Sequence, residues 1–166
     1  MARSSSGLLV YRVVEHAGPD EGALEVLIVH PGGPYWAKKD DGVWSIPKGE
    51  HDPDEDPAAC AAREFEEELG LAAPRGTWED LGEVTQRGGK IVRAWAVQGD
   101  LDVAEIASNT FEIEWPPRSG RIRSFPEVDA AAWVSVREAR TKLNDAQVAF
   151  VDRLLAARLG RRGDST

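Results

Sequence analysis

The stretch from Asp56 to Gly70 carries its own start and stop signals for a helix. Asp56 suits an N-cap, Pro57 suits the first helical position, and Gly70 suits the left-handed residue that closes a helix. The thirteen residues between the caps would span about 20 Å. On a wheel with Glu64 at zero, Ala58, Ala61, Ala62, Phe65 and Leu69 fall between about 60° and 160°. That apolar stripe must face a core. Glu64, Glu67 and Glu68 gather within about 100° of one another on a different face, and Glu66 lies apart from them as a surface residue. Like charges at this spacing cost a few tenths of a kcal/mol each in an exposed helix. Stability alone would favour a lysine or arginine four residues after Glu64, yet Glu68 stands there. A hard divalent cation among the carboxylates would reverse the penalty, because Mg²⁺ takes oxygen ligands. The bland alternative is a solvated acidic face.

The rest of the chain must supply what that helix packs on. A length of 166 residues fits a single domain spanning 1–166, large enough to bury a core without disulfides. Hydrophobic residues at 42% exclude a disordered chain. Apolar, strand-like runs at 7–14, 24–30, 81–85, 91–98, 110–115 and 131–134 alternate with helical patterns at 57–69, 135–143 and 146–159. Turn residues in Ala17–Gly22 join the first two runs, and Gly88-Gly89 joins the third and fourth as a hairpin. The interleaving gives an α/β (α+β) class with a mixed sheet packed between helices. Short mobile ends are expected at 1–5 and 161–166. No apolar run reaches the roughly 20 residues of a membrane helix, and no signal-peptide pattern opens the chain. The lone Cys60 cannot form an internal disulfide, and a cytoplasmic protein with no membrane partner is expected. A net charge of −9 argues against binding a nucleic-acid polymer, but a recruited cation would still admit small anionic substrates.

Gly49, five residues, Glu55, seven residues, then Arg63-Glu64-Phe65-Glu66-Glu67-Glu68-Leu69-Gly70-Leu71 resembles the Nudix signature G-x5-E-x7-R-E-U-x-E-E-x-G-U without a departure. Nine fixed positions match across the 23 residues of the box, 49–71. The resemblance, to MutT-like pyrophosphohydrolases, implies an α/β/α sandwich with a mixed central sheet. It also implies hydrolysis of a nucleoside diphosphate linked to another group by water attack on phosphorus, with Mg²⁺ or Mn²⁺. Carried over by position, Glu67 and Glu68 resemble metal ligands, and the Gly49 carbonyl resembles another. Glu64 resembles a ligand or the base, so Arg63, Glu64, Glu67 and Glu68 form the catalytic set. Arg63 resembles the residue that orients the glutamates, with Glu55 as its partner, and Gly70 serves the turn. Some members of the family take a further ligand from a loop near the end of the sheet, the alternative being a plain surface glutamate. Glu112, Glu114 and Glu127 are candidates, and Glu127 is preferred. Members of the family often pair, so a homodimer is carried as an expectation.

Trp44-Ser45-Ile46-Pro47-Lys48-Gly49 resembles the lead-in of diadenosine polyphosphate hydrolases and of some nucleoside triphosphate enzymes. A dinucleoside polyphosphate or nucleoside triphosphate is therefore the leading small nucleotide substrate. ADP-ribose, another nucleoside diphosphate sugar, or a nucleotide-sensing role with little turnover are the alternatives. Lys48, Lys90 and Arg93 are candidate phosphate contacts, each with a plain surface or loop alternative. Two aromatic–basic segments could stack a base and meet phosphate. One holds Tyr35, Trp36, Lys38 and Lys39, the other Phe111, Trp115, Arg118, Arg121 and Arg123. Trp78, Trp95 and Trp133 read as core, Cys60 as a small tolerated residue, His51 as a loop histidine, and His16 and His30 carry no pattern.

Overall fold

In the computed structural model, residues 4–14 and 23–164 are described. Strand β1 (Ser4–Val13) is the axis of the molecule. It pairs in parallel with β5 (Ile91–Gln98) and antiparallel with β2 (Leu24–Pro31). β4 (Glu79–Thr85) flanks β5, and β8 (Val128–Ser135) flanks β2, giving the order β4-β5-β1-β2-β8. The short β3 (Lys48–Glu50) pairs with the first half of β1, Gly49 opposite Ser6. Strands β6 (Thr110–Glu114) and β7 (Ile122–Pro126) form a separate two-stranded sheet.

Alternation along the strands gives the central sheet two buried faces. Leu8 and Val10 of β1, Leu27 and Val29 of β2, and Trp95 and Val97 of β5 face α1 (Pro57–Leu69), whose Ala61, Phe65 and Leu69 complete that cluster. Leu9, Tyr11, Val26, Ile28, Val92, Ala94 and Ala96 face the other way. There α2 (Val136–Lys142) and α3 (Val148–Asp164) cover them with Val136, Ala139, Phe150, Val151 and Leu154. The sheet is therefore mixed and lies between helices, as the interleaved pattern predicts. Full burial of Phe65 contributes roughly 1.5–3 kcal/mol. That buried contact holds the carboxylate face of α1 in one orientation.

The caps of α1 are where the sequence places them. The Asp56 carboxylate accepts the Ala59 backbone N–H at 3.1 Å. Gly70 adopts φ 70° and donates its N–H to the Glu66 carbonyl at 2.7 Å. The ends differ from expectation. Ser4 and Ser5 belong to β1, paired with Ile91 and Val92, because Ser5 also lies opposite Glu50 of β3. Residues 161–164 continue α3. The rest of those tails, the turn at 17–22 and His16 lie outside the described residues. Among the described residues no helix is long and apolar enough to cross a membrane.

Candidate active site

The site forms where β3 passes the carboxylate face of α1. Arg63 is its organising residue. Its Nε and Nη2 donate to the two Glu55 oxygens at 2.8 and 2.9 Å, a bidentate pair that ties the 50–56 loop to the helix. The Glu55 carboxylate also accepts the Asp52 N–H at 3.0 Å, and the Arg63 bond holds Glu55 well down, to about 2. The remaining nitrogen, Nη1, donates to Glu64 at 2.9 Å and to both oxygens of Glu67 at 3.1 Å. One guanidinium therefore fixes three of the carboxylates that the sequence singles out.

Gly49 explains itself by proximity. A Cβ built on it would lie 2.0 Å from the Glu64 carboxylate carbon. Only a residue without a side chain lets the strand approach Glu64 this closely. The Gly49 carbonyl accepts a weak bond from the buried Cys60 thiol at 3.5 Å. Cys60 packs between strand and helix, and burial pushes its thiol up to about 11, so it is a spacer rather than a nucleophile. His51 is hydrogen-bonded to the Ser6 hydroxyl at 2.5 Å.

Glu68 is the deepest carboxylate. It accepts the Lys48 backbone N–H at 3.2 Å, and burial pushes it up to about 8. Glu64 is raised by burial and then by the charge of Glu67. Glu127 is raised by partial burial and by Glu67, and its charge in turn acts on Glu64 and Glu68. The four side chains thus share one electrostatic field. Backbone bonds bring Glu127 there. The Asn109 N–H donates to the Glu67 carbonyl at 2.9 Å, and the Glu127 N–H donates to the Asn109 carbonyl at 2.8 Å. Gly32 donates its N–H to the Glu127 carbonyl at 2.9 Å from the other side. Glu112 and Glu114 are exposed on the β6–β7 hairpin, where Glu114 accepts the Gly120 N–H at 3.3 Å.

Repelling, partly buried carboxylates form an all-oxygen donor set, which fits a hard divalent cation. Among the described residues no three His, Cys, Asp or Glu side chains converge on an ion as they stand. Arg63 takes up the Glu64 and Glu67 oxygens instead, so a cation would compete with it for them.

The candidate substrate contacts divide into three groups. Lys48 is lowered to about 8 by burial and then by the charge of Lys90, so the two lysines are neighbours beside Glu68. Arg93 is committed elsewhere: it donates to Asp80 at 2.8 Å and stacks 4.8 Å over Trp95. Trp36 and Lys38 are exposed on the 33–39 turn, and Trp115 meets Tyr35 edge-on at 5.2 Å. Trp78 and Trp95 pair at 6.3 Å, and Trp133 lies under Arg12. Two surface grooves, one lined by Arg12, Asp100, Leu101, Asp102, Val103 and Trp133 and the other by Gly42, Thr85, Arg87, Asn144, Asp145 and Ala146, include none of the clustered carboxylates.

One arrangement escapes sequence reasoning. His30 is buried, with Nδ1 2.7 Å from Asp129 and Nε2 2.6 Å from the Lys39 carbonyl. It meets Trp44 edge-on at 5.2 Å, so one side chain pins the far end of the aromatic–basic turn to β8. No spacing signal links residues 99 positions apart.

A mixed sheet lies between helices with a carboxylate-bearing loop–helix–loop beside it, and with the family match that follows this makes the chain a hydrolase acting on phosphoanhydrides. The family model for the NUDIX domain matches residues 13–154, and the chain belongs to that family. In fold it is similar to a Caenorhabditis elegans Ap4A hydrolase, at 20% identity over 96% of this chain and 99% of that one, TM-score 0.65. It is also similar to the NUDIX domain of Shewanella oneidensis NrtR complexed with ADP ribose, at 15% identity over 96% and 89%, TM-score 0.61. A third similar structure is a MutT protein from Methanosarcina mazei, at 20% identity over 95% of each chain, TM-score 0.59. No curated protein matches the chain significantly.

Proposed function

We propose that this protein is a divalent-metal-dependent pyrophosphohydrolase whose preferred substrate is a dinucleoside polyphosphate or a nucleoside triphosphate. The observation that carries the reading is the carboxylate face of α1 against β3, where Glu64 lies on Gly49, Glu68 accepts the Lys48 N–H, Arg63 bonds Glu64 and Glu67, and the charge of Glu127 acts on Glu64 and Glu68. Those four carboxylates and the Gly49 carbonyl would hold Mg²⁺ or Mn²⁺. Bound there, the ion would neutralise phosphate oxygens and lower the pKa of a water.

The chain's own residues supply the rest. Glu64, set against Gly49, accepts the proton of the attacking water. Arg63 holds the Glu64 and Glu67 carboxylates beside each other and would yield their oxygens to the cation as it binds. Lys48 and Lys90 stand beside Glu68, where they meet phosphate oxygens as point charges. The leaving phosphate departs with the electron pair of the broken P–O bond. The lead-in Trp44–Gly49 and the likeness to an Ap4A hydrolase favour the polyphosphate reading. Likeness to an ADP-ribose-bound domain supports ADP-ribose as the second.

The test is chromatographic product analysis of diadenosine tetraphosphate, nucleoside triphosphates and ADP-ribose with Mg²⁺, beside Glu67→Gln and Glu127→Gln. The reading expects cleavage of a polyphosphate substrate, lost on either substitution. It fails if no substrate is cleaved, or if cleavage is indifferent to Mg²⁺ and to both substitutions.

A further inference from the structure

The β6–β7 hairpin stands apart from the central sheet, and none of the carboxylates assigned above belongs to its strands. Its register sets Phe111 opposite Phe125 and Ile113 opposite Arg123. The Trp115 N–H donates to the Arg121 carbonyl at 2.9 Å, which carries the pairing one step further. Opposed residues of an antiparallel pair share a face, and successive residues alternate. One face therefore carries three aromatic rings, Ile113, Arg121 and Arg123. The other carries Glu112, Glu114, Ile122 and Ser124. Phe111, Ile113, Trp115 and Phe125 are half-buried, whereas Arg121 and Arg123 on their face and all of the acidic face are exposed.

The aromatic–arginine face is the one that meets the 33–39 turn. A Cβ on Gly33 would lie 2.8 Å from the Phe111 ring, and Tyr35 meets Trp115 at 5.2 Å. That turn brings Trp36, 41% exposed, and Lys38, while Lys39 sits 5.2 Å over the Trp36 ring. Hairpin and turn thus form one lobe in which half-buried hairpin rings back the exposed Tyr35, Trp36 and cations, on a chain of net charge −9. Among the described residues no carboxylate pairs with the side chains of Arg121, Arg123 or Lys38.

The lobe is joined directly to the carboxylates. β7 ends at Pro126 and β8 begins at Val128, so Glu127 is the joint between them. At about 3.3 Å per residue, Arg123 and Arg121 lie roughly 13 and 20 Å along the strand from Glu127. A second cationic pair, Lys48 and Lys90, adjoins the same carboxylates at Glu68. A substrate reacting at the carboxylates thus meets cations both at Glu68 and outward from Glu127, and the outward set also offers stacking surfaces.

We propose that the β6–β7 hairpin and the 33–39 turn form a nucleotide-binding arm for the distal base and phosphates of a substrate with a nucleoside at both ends. Aromatic faces stack the base and arginine forks take phosphate oxygens. The inference rests on the hydrolase reading above, and names which of its substrates the chain selects.

The experiment compares diadenosine tetraphosphate with ATP in wild type and in Arg121→Ala/Arg123→Ala, whose side chains are exposed, Arg123 lying over the Phe125 ring. The ratio of kcat/KM for the double-ended substrate to that for ATP should fall about tenfold or more, as a rise in KM. An equal loss on both substrates, or no loss on either, overturns the arm. Should wild type cleave neither, the hydrolase reading fails separately. The arm is then judged by calorimetric titration of diadenosine tetraphosphate into both proteins, where weaker binding by the variant supports it and equal affinity overturns it.

Discussion

Replacing Gly49 with alanine separates the site from the fold. The new Cβ would lie 2.0 Å from Glu64 Cδ, 2.1 Å from Oε2 and 2.5 Å from Oε1. The first contact falls short of the 3.4 Å where ordinary contact begins by about 1.4 Å, so the carboxylate must give way. It can, because it is the far end of a flexible side chain, and Gly49 is not among the glycines with positive φ. An off-rotamer Glu64 costs about 0.5–1.5 kcal/mol, which shifts Tm by only a few degrees in a domain of this size. Activity should suffer far more. Misplacing a reacting group by about 1 Å costs on the order of 10²-fold, and losing a positioned base costs about 10²–10⁴-fold. Gly49→Ala should therefore melt within a few degrees of wild type while kcat/KM falls at least about 100-fold. The stabilisation that Mg²⁺ gives in a thermal melt should shrink as well, since Glu64 would no longer face the other carboxylates. Melting curves with and without Mg²⁺, beside steady-state rates, measure all three. A variant within about threefold of wild type in kcat/KM, with an unchanged Mg²⁺ response, refutes the placement of Glu64.

Gly32→Ala should behave oppositely: its Cβ would meet the Pro126 carbonyl oxygen at 1.9 Å, a backbone atom that cannot rotate away, so Tm should drop much further than for Gly49→Ala. Glu68 sets a pH dependence. Its folded value of about 8 lies above the ordinary 4.5, so the folded state binds the extra proton between those values. Without divalent cation, Tm should fall as pH rises from 5 to 8. Lys48, lowered to about 8, should return stability above that pH. Mg²⁺ should raise Tm more at pH 8 than at pH 5, because it takes the ionised carboxylate; a flat profile would sink the assignment. Arg63→Lys removes the fork on Glu55, which should lower the midpoint of a denaturant melt and reduce kcat at least about tenfold. His30→Ala loses both bonds that pin the 33–44 segment, so trypsin should cut after Lys38 and Lys39 faster than in wild type.

Helix α1 is legible in the sequence because everything that defines it is local. Its caps lie at its own ends, its stripe repeats at its own period, and Phe65 needs only some sheet to pack on. The mixed sheet follows nearly as directly, since fully buried strands write continuous apolar runs. β3 does not, because Lys48-Gly49-Glu50 has no strand composition; it is a strand only through pairing with Ser5, Ser6 and Gly7. The same distinction runs through the site. The spacing of Glu64, Glu67 and Glu68 is helical and shows at once, as does the reach of Arg63 along that helix. Which sheet-end glutamate joins them is decided by two backbone bonds, Asn109 to Glu67 and Glu127 to Asn109, and backbone partners leave no side-chain signature. Sequence therefore offers Glu112, Glu114 and Glu127 with only a preference for Glu127, and the chain's path sets Glu127 beside Glu67. Gly49 joins the two cases. A signature position marks it, but the reason for glycine there is the Glu64 carboxylate against its Cα, a contact made only when β3 has found β1 and α1 has found the sheet. Assembly of the site therefore waits on assembly of the core, while the core does not wait on the site.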